Sequence, residues 1–165
     1  MSSKPIHNIS FRAICAATES EEKVKKALSL FIFENEIDII NTDGHFGNPI
    51  SIFTAIIRGN DCIRFIEMLR SKLPEQDMQL LKNEISDRMD DDCVLHIRFD
   101  KQAAYGGNVH LGATGDTIST GIKLRAYPAR REKAIAVAEN IFRTKPLSLA
   151  DTFTGDTPSL TPIFK

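Results

Sequence analysis

Apolar and polar residues alternate with a period of two over residues 5–17, PIHNISFRAICAA. Ile9, Phe11, Ala13 and Cys15 fall on one side, and Ser10 and Arg12 on the other. That period predicts a half-buried strand, because successive side chains leave opposite faces of an extended backbone. The period then lengthens. Thr18-Glu19-Ser20-Glu21 has the T-x-x-E form of a helix-capping box. Behind it Val24, Ala27, Leu28 and Phe31 recur at helical spacing, while Glu21–Lys25 and Glu22–Lys26 form i,i+4 pairs on the opposite face. Residues 37–43 (IDIINTD) and 50–58 (ISIFTAIIR) predict two more strands. GHFGNP lies between them and is turn chemistry, since glycine tolerates positive φ and proline fixes its own.

Asn60 or Asp61 caps a second helix with an apolar stripe of Cys62, Phe65, Ile66, Leu69 and Leu73. Pro74 cannot continue that helix but suits the first turn of another. The latter covers about 75–90, with Met78, Leu81, Ile85 and Met89 inward. Asp90-Asp91-Asp92 follows. Acidic charge is unfavourable at a helix C-terminus, so this is read as a solvated exit loop, with a metal-binding carboxylate cluster as the alternative. Residues 93–99 alternate again: Cys93, Leu95, Ile97 and Phe99 point in, His96 and Arg98 out. Residues 117–127 do likewise, with Ile118, Ile122, Leu124 and Ala126 one way and Lys123, Arg125 and Tyr127 the other. Pro128 opens a last helix over 128–142, with Ile135, Ala138 and Phe142 apolar and Arg130, Arg131 and Lys133 in its first turns. Residues 144–165 carry three prolines and many Ser/Thr, and predict a flexible tail.

The order β-α-β-β-α-α-β-β-α predicts an α+β fold. It is a single two-layer domain over residues 5–143, a largely antiparallel sheet with helices packed on one face and the other partly open. A chain of 165 residues with 42% hydrophobic and 26% charged content fits one domain with a real core. No apolar run reaches the length of a membrane span, and the N-terminus lacks the layout of a secretory signal, so a cytoplasmic protein is expected. Cys15, Cys62 and Cys93 are far apart in apolar patterns, which predicts buried hydrophobes rather than a zinc site or disulfides. His7, His45, His96 and His110 show no ligand spacing, so neither metal nor cofactor is expected.

Net charge is −1, yet it is unevenly spread: residues 1–92 carry −5 and residues 93–133 carry +4. A local excess of cations points to an anionic partner. Lys123 and Arg125 share a strand face, Tyr127 continues the row, Arg98 joins it if the two strands are neighbours, and Arg130, Arg131 and Lys133 follow at once. Cations with an interleaved ring can hold a phosphate backbone and stack a base; the alternative is an ordinary solvated face. In KQAAYGG, Lys101 would take phosphate, Gln102 a base edge and Tyr105 a base face, or the stretch is a short helical turn capped by glycine. In GHFGNPI the first reading is a strand-to-strand corner, the second a ligand contact through His45 and Asn48. The third is a catalytic centre, with His45 as general base beside Asp43 or Lys101 acting on phosphoesters.

Three stretches together resemble an archaeal family of predicted exosome subunits or RNA-binding proteins. They are ATESEEKVKKAL (17–28), TDGHFGNPI (42–50), and RFDKQAAYGG (98–107) followed by KLRAYPARREKAI (123–135). Lys101, Gln102, Tyr105, His45, Gly47, Asn48, Pro49, Tyr127 and Pro128 fit the family's pattern. Gly106 departs from it, standing where a bulkier apolar residue is usual. The resemblance spans residues 6–143. It implies a fold similar to the large-subunit ribosomal protein that binds the smallest ribosomal RNA, and a role near RNA. The expectation is thus an RNA-binding module without catalysis of its own, accessory to RNA processing or degradation. Its partners would be RNA and the exosome or other processing subunits, and a homodimer is admitted. The alternative is a protein–protein scaffold, suggested by the acidic first 92 residues and a tail carrying Leu147, Phe153 and Ile163.

Overall fold

The computed structural model describes residues 4–44, 46–113 and 115–143. Its strands are β1 (Ile6–Ala16), β2 (Asp38–Asp43), β3 (Pro49–Ile57), β4 (Val94–Asp100) and β5 (Thr117–Leu124). Its helices are α1 (Glu21–Ile32), α2 (Asn60–Lys72), α3 (Glu75–Asn83), α4 (Ile85–Arg88), α5 (Lys101–Tyr105) and α6 (Arg131–Arg143). The strands form one sheet in the order β2-β3-β1-β5-β4, and every neighbouring pair is antiparallel. The fold is α+β, as the hydrophobic pattern predicts.

The two-residue period of β1 explains the layering. Ile9, Phe11, Ala13 and Cys15 are buried, while Ser10, Arg12 and Ile14 between them are exposed. Across the core Phe11 of β1, Phe31 of α1, Phe65 of α2 and Phe99 of β4 meet in stacked, tilted and edge-on pairs with ring centroids 4.8 to 6.2 Å apart. Offset and perpendicular ring pairs add to the burial of large apolar area, so this cluster ties two helices to two strands. The three cysteines are buried and free. Among the described residues no helix is long and apolar enough to cross a membrane.

Where the elements differ from expectation, local hydrogen bonds supply the reason. The cap of α1 is Ser20, whose side chain accepts from Lys23 N at 3.4 Å, rather than Thr18. Residues 16–19 instead close a turn, Glu19 N donating to Ala16 O and Ala16 N to Glu19 Oε2. The helix expected over 75–90 is two. At Glu84 the backbone N–H is shared between Leu80 O and Leu81 O, and Met89 then bridges Leu95 of β4. β5 ends at Leu124, short of 127, because Arg125 N turns to Pro5 O. KQAAYGG is a short helix, α5, capped by Asp100, whose Oδ1 accepts from Ala103 N at 3.0 Å. The tail expected over 144–165 lies outside the described residues.

After α5 the chain runs along the outer edge of β4, with Gly112 N donating to Arg98 O and Asp100 N to His110 O. The approach is close: a Cβ on Gly112 would lie 2.6 Å from Thr117 Cγ2 and 3.2 Å from Asp100 N. A Gly112→Ala variant is therefore expected to lose about 1–3 kcal/mol of stability. A urea midpoint equal to that of the parent would show that the loop gives way freely.

Candidate functional site

Among the described residues, five antiparallel strands with helices on one side leave the other side of the sheet bare, and strand register decides what stands on it. Arg12, on the central strand, is paired with Thr54 of β3 on one flank and Ser119 of β5 on the other. Ser119 is paired with Arg98 of β4, and Thr54 with Asp38 of β2. The row Arg98–Ser119–Arg12–Thr54–Asp38 thus crosses the whole sheet. With strands about 4.8 Å apart, the two arginines rise roughly 10 Å from each other. Both are exposed, and among the described residues neither side chain has a hydrogen bond or ion pair. The next row is His96–Gly121–Ser10–Ile56, and beyond it Lys123 lies between Val94 and Asn8. Gly121 keeps the middle of the face low; a Cβ there would meet Val94 Cγ1 at 3.0 Å and Ser10 Oγ at 3.2 Å. On the other side of the arginine row stands Ile14–Ile52–Ile40, so the face is cationic towards β4 and β5 and apolar towards β2 and β3.

Lys123 is half-buried and donates to Asp92 O at 2.5 Å, which leaves two of its protons for a ligand. His96 Nε2 lies 2.8 Å from Asp90 Oδ2. Asp90 also accepts from Asp92 N and Val94 N, each at 2.9 Å. Burial raises its pKa, but the bonds from His96, Val94 and Asp92 outweigh that and hold the carboxyl below its ordinary value. The aspartate run is therefore a turn clasp; among the described residues no group of His, Cys, Asp or Glu is arranged to hold a metal. Outside β4 the face gives way to a groove of about 600 Å3 lined by Asp77, Glu84, Asp87, Arg88 and Asp90 together with His96 and Arg98. Arg98 thus stands where the cationic face meets acidic side chains.

The expected site residues separate into groups. Arg98 and Lys123 share the bare face, as the neighbouring of β4 and β5 requires. Arg125, Tyr127 and Arg130 are exposed in the segment between β5 and α6, and Lys133 is exposed in the first turn of α6. Arg131 differs: its guanidinium donates to Met89 O at 3.1 Å and to Ser86 O, closing the end of α4, so it is a structural tie. Asn48 is exposed and its carbonyl accepts from Gly44 N, inside the corner that the first reading of GHFGNP predicts. His45 lies outside the described residues.

Lys101 departs furthest from expectation. It is 3% exposed, and its three ammonium protons face Glu19 Oε1 at 2.8 Å, Asp116 Oδ1 at 2.6 Å and Ile14 O at 2.7 Å. Burial disfavours its charge, but the hydrogen bonds and charges of Asp116 and Glu19 more than compensate and hold its pKa above the lysine norm. Asp116 is the mirror case: burial raises its pKa, while Lys101 and Gln102 prevail and hold it below the carboxylate norm. No proton is left for a phosphate, nor is the amine open as a partner for His45. Gln102 is drawn into the same group, donating to Asp116 Oδ2 at 2.7 Å. Tyr105 lies in the helical layer, where α5 packs on α1, with Lys23 and Lys26 ammoniums 5.2 and 5.1 Å from its ring centre. These three residues line or floor a hollow of about 310 Å3 with Thr18 and Lys23. Tyr105 thus does not stand beside the arginines of the sheet. Sequence reasoning did not select Arg12; its outward place in the alternation of β1 was the available signal.

Comparison with known proteins supplies independent information. Residues 8–124 match a family model described as RNA binding. A Pyrococcus abyssi protein named RNA-binding protein PAB1135 is 38% identical, over 78% of this chain and 88% of that protein. The crystal structure of protein AF2318 from Archaeoglobus fulgidus superposes with a TM-score of 0.75 and 36% identity, covering 82% of this chain and 99% of that one. Mth689, a DUF54 protein of Methanothermobacter thermautotrophicus, gives 0.72 and 32% identity over 84% of this chain and 99% of that one.

Proposed function

The chain belongs to the RNA-binding family that residues 8–124 match, and from that premise we propose that it binds RNA on the bare face of its sheet. The observation that carries the reading is the row Arg98–Ser119–Arg12, two exposed arginines without partners among the described residues, with Lys123 two rows further along the same face. Guanidinium groups match phosphate oxygens in a planar two-toothed geometry. Ser10 and Ser119 add hydroxyls, and exposed Ile14 and Ile56 offer apolar surface to ribose and base faces. Arg125, Tyr127, Arg130 and Lys133 extend the contact past the end of β5. A net charge of −1 makes this a local, salt-sensitive grip rather than one over the whole surface.

The same reading includes an accessory, non-catalytic part in cytoplasmic RNA processing or degradation, next to the exosome, and the likeness of fold to the ribosomal protein of the smallest ribosomal RNA. Its support is the three family-like stretches. A pull-down from cell extract with and without nuclease tests the assembly: subunits lost on nuclease treatment are held through RNA. Nuclease-resistant partners would favour a scaffold, for which the exposed Ile14, Ile40 and Ile56 are the structural argument.

A Lys123→Ala, Arg125→Ala double variant is expected to weaken RNA retention. It should also flatten the dependence of log affinity on log salt by roughly 0.7–0.9 for each phosphate contact removed. Unchanged binding at low salt in a filter-retention titration would remove this end of the strand from the interface.

A further inference from the structure

A second concavity lies in the helical layer, away from the sheet face. It is bounded by α2, the last turn of α6 and the chain entering β1, and it encloses about 290 Å3, at the lower end of the roughly 300–1,000 Å3 of small-molecule sites. The wall is apolar, built from Ile6, Ile63, Ile66 and Ile141. Ile63 is 46% exposed on the side of α2 that faces the cleft, which is apolar surface without a cover among the described residues. Arg70 stands on the same stripe of α2, two turns further on. Among the described residues its buried Nε has no hydrogen-bond partner and its guanidinium no ion pair.

A guanidinium N–H taken out of water with nothing to accept it is unfavourable. Burial pulls the pKa of Arg70 down against the opposing charge of Glu67, consistent with a cation in want of an anion. At the other end of the cleft the Lys4 ammonium is held on Asn60 Oδ1 at 3.1 Å. Lys4 and Arg70 against Glu67 leave one net positive charge among the lining residues, which suits a singly charged ligand better than a phosphate dianion.

We propose that this cleft binds a small ligand with a carboxylate at one end and an apolar body. The carboxylate takes the free donors of Arg70, and the body lies along Ile6, Ile63, Ile66 and Ile141. The site is independent of the RNA face.

The test uses the full chain, sodium decanoate below its micelle concentration, decanol at matched concentration, and amide correlation spectra. Decanoate is expected to shift the amides of Cys62, Ile63, Arg70 and Ile141 saturably. Decanol should bind about tenfold more weakly or worse, because it cannot supply the charged acceptor. Arg70→Met should bring decanoate down to the level of decanol. Ile63→Glu, a change at an exposed position that spares the fold, should abolish the shifts and leave RNA retention unaltered. Three results would overturn the proposal: no saturable shifts, equal binding of decanoate and decanol, or the same amides moving with protein concentration alone, which would make a second copy of the chain the occupant.

Discussion

An Arg12→Ala, Arg98→Ala double variant is expected to bind RNA roughly a hundredfold more weakly at low salt, since each charge-assisted contact is worth about 1.5 kcal/mol or more. It should fold as the parent does. Both side chains stand on the exposed face and hold nothing else among the described residues, and such surface substitutions change stability by only about 0.5 kcal/mol. Loss of two phosphate contacts should also lower the salt slope by roughly 1.4–1.8. Arg12 is the more informative of the pair. It lies at the centre of the sheet, flanked by Ser119 and Thr54, so that a strand of RNA crossing the face in any direction passes near it. Single variants separate the cases: if Arg98→Ala accounts for the whole loss, the ligand follows the edge at β4 and does not cross the sheet.

Lys101→Met is expected to act oppositely, unsettling the fold while leaving the RNA surface alone. Removing one partner of a buried ion group leaves its counter-charges uncompensated, at about 3–5 kcal/mol. The lower end, about 3 kcal/mol, applies here because Glu19 and Asp116 are 28% and 46% exposed and water shields them in part. The effect reaches three segments at once, since the ammonium joins the turn after β1, the start of α5 and the loop before β5. pH gives a second handle. Asp116 has a lowered folded pKa, so its contribution is present above the unfolded value near ~3.9 and is lost as pH falls through the folded value. Lys101 has a raised one, so its contribution is present below ~10.4 and is lost as pH rises through the folded value. The stability gap between parent and Lys101→Met should hold steady between about pH 5 and 9 and narrow in acid. A variant as stable as the parent but deficient in RNA binding would return Lys101 to the interface.

The sheet was legible in the sequence because one face of it is buried. In β1, β4 and β5 a strict two-residue period follows directly from burial on one side, and the same period placed Arg98 and Lys123 outward correctly. Breaks set by contacts remote in sequence were not legible. The division of α3 from α4 depends on Met89 pairing with Leu95 and on Arg131 reaching Ser86 and Met89. The charge of Lys101 misled for a related reason. A lysine between an aspartate and a glutamine looks solvent-facing, and only tertiary structure brings Glu19 and Asp116 to it. Arg12 shows the converse. Its outward direction was plain, but its place in the proposed interface comes from its neighbours, Ser119 and then Arg98, and register across three strands is not written in any one of them.

Ultraviolet crosslinking of the chain to cellular RNA, with the crosslinked peptides mapped, addresses the proposed interface most directly. Crosslinks concentrated in β1 around Arg12, in β4 around Arg98 and in residues 117–130 are the expected result. Crosslinks confined to α1 and α5, around Lys23, Lys26 and Tyr105, would place RNA on the helical layer and contradict the account.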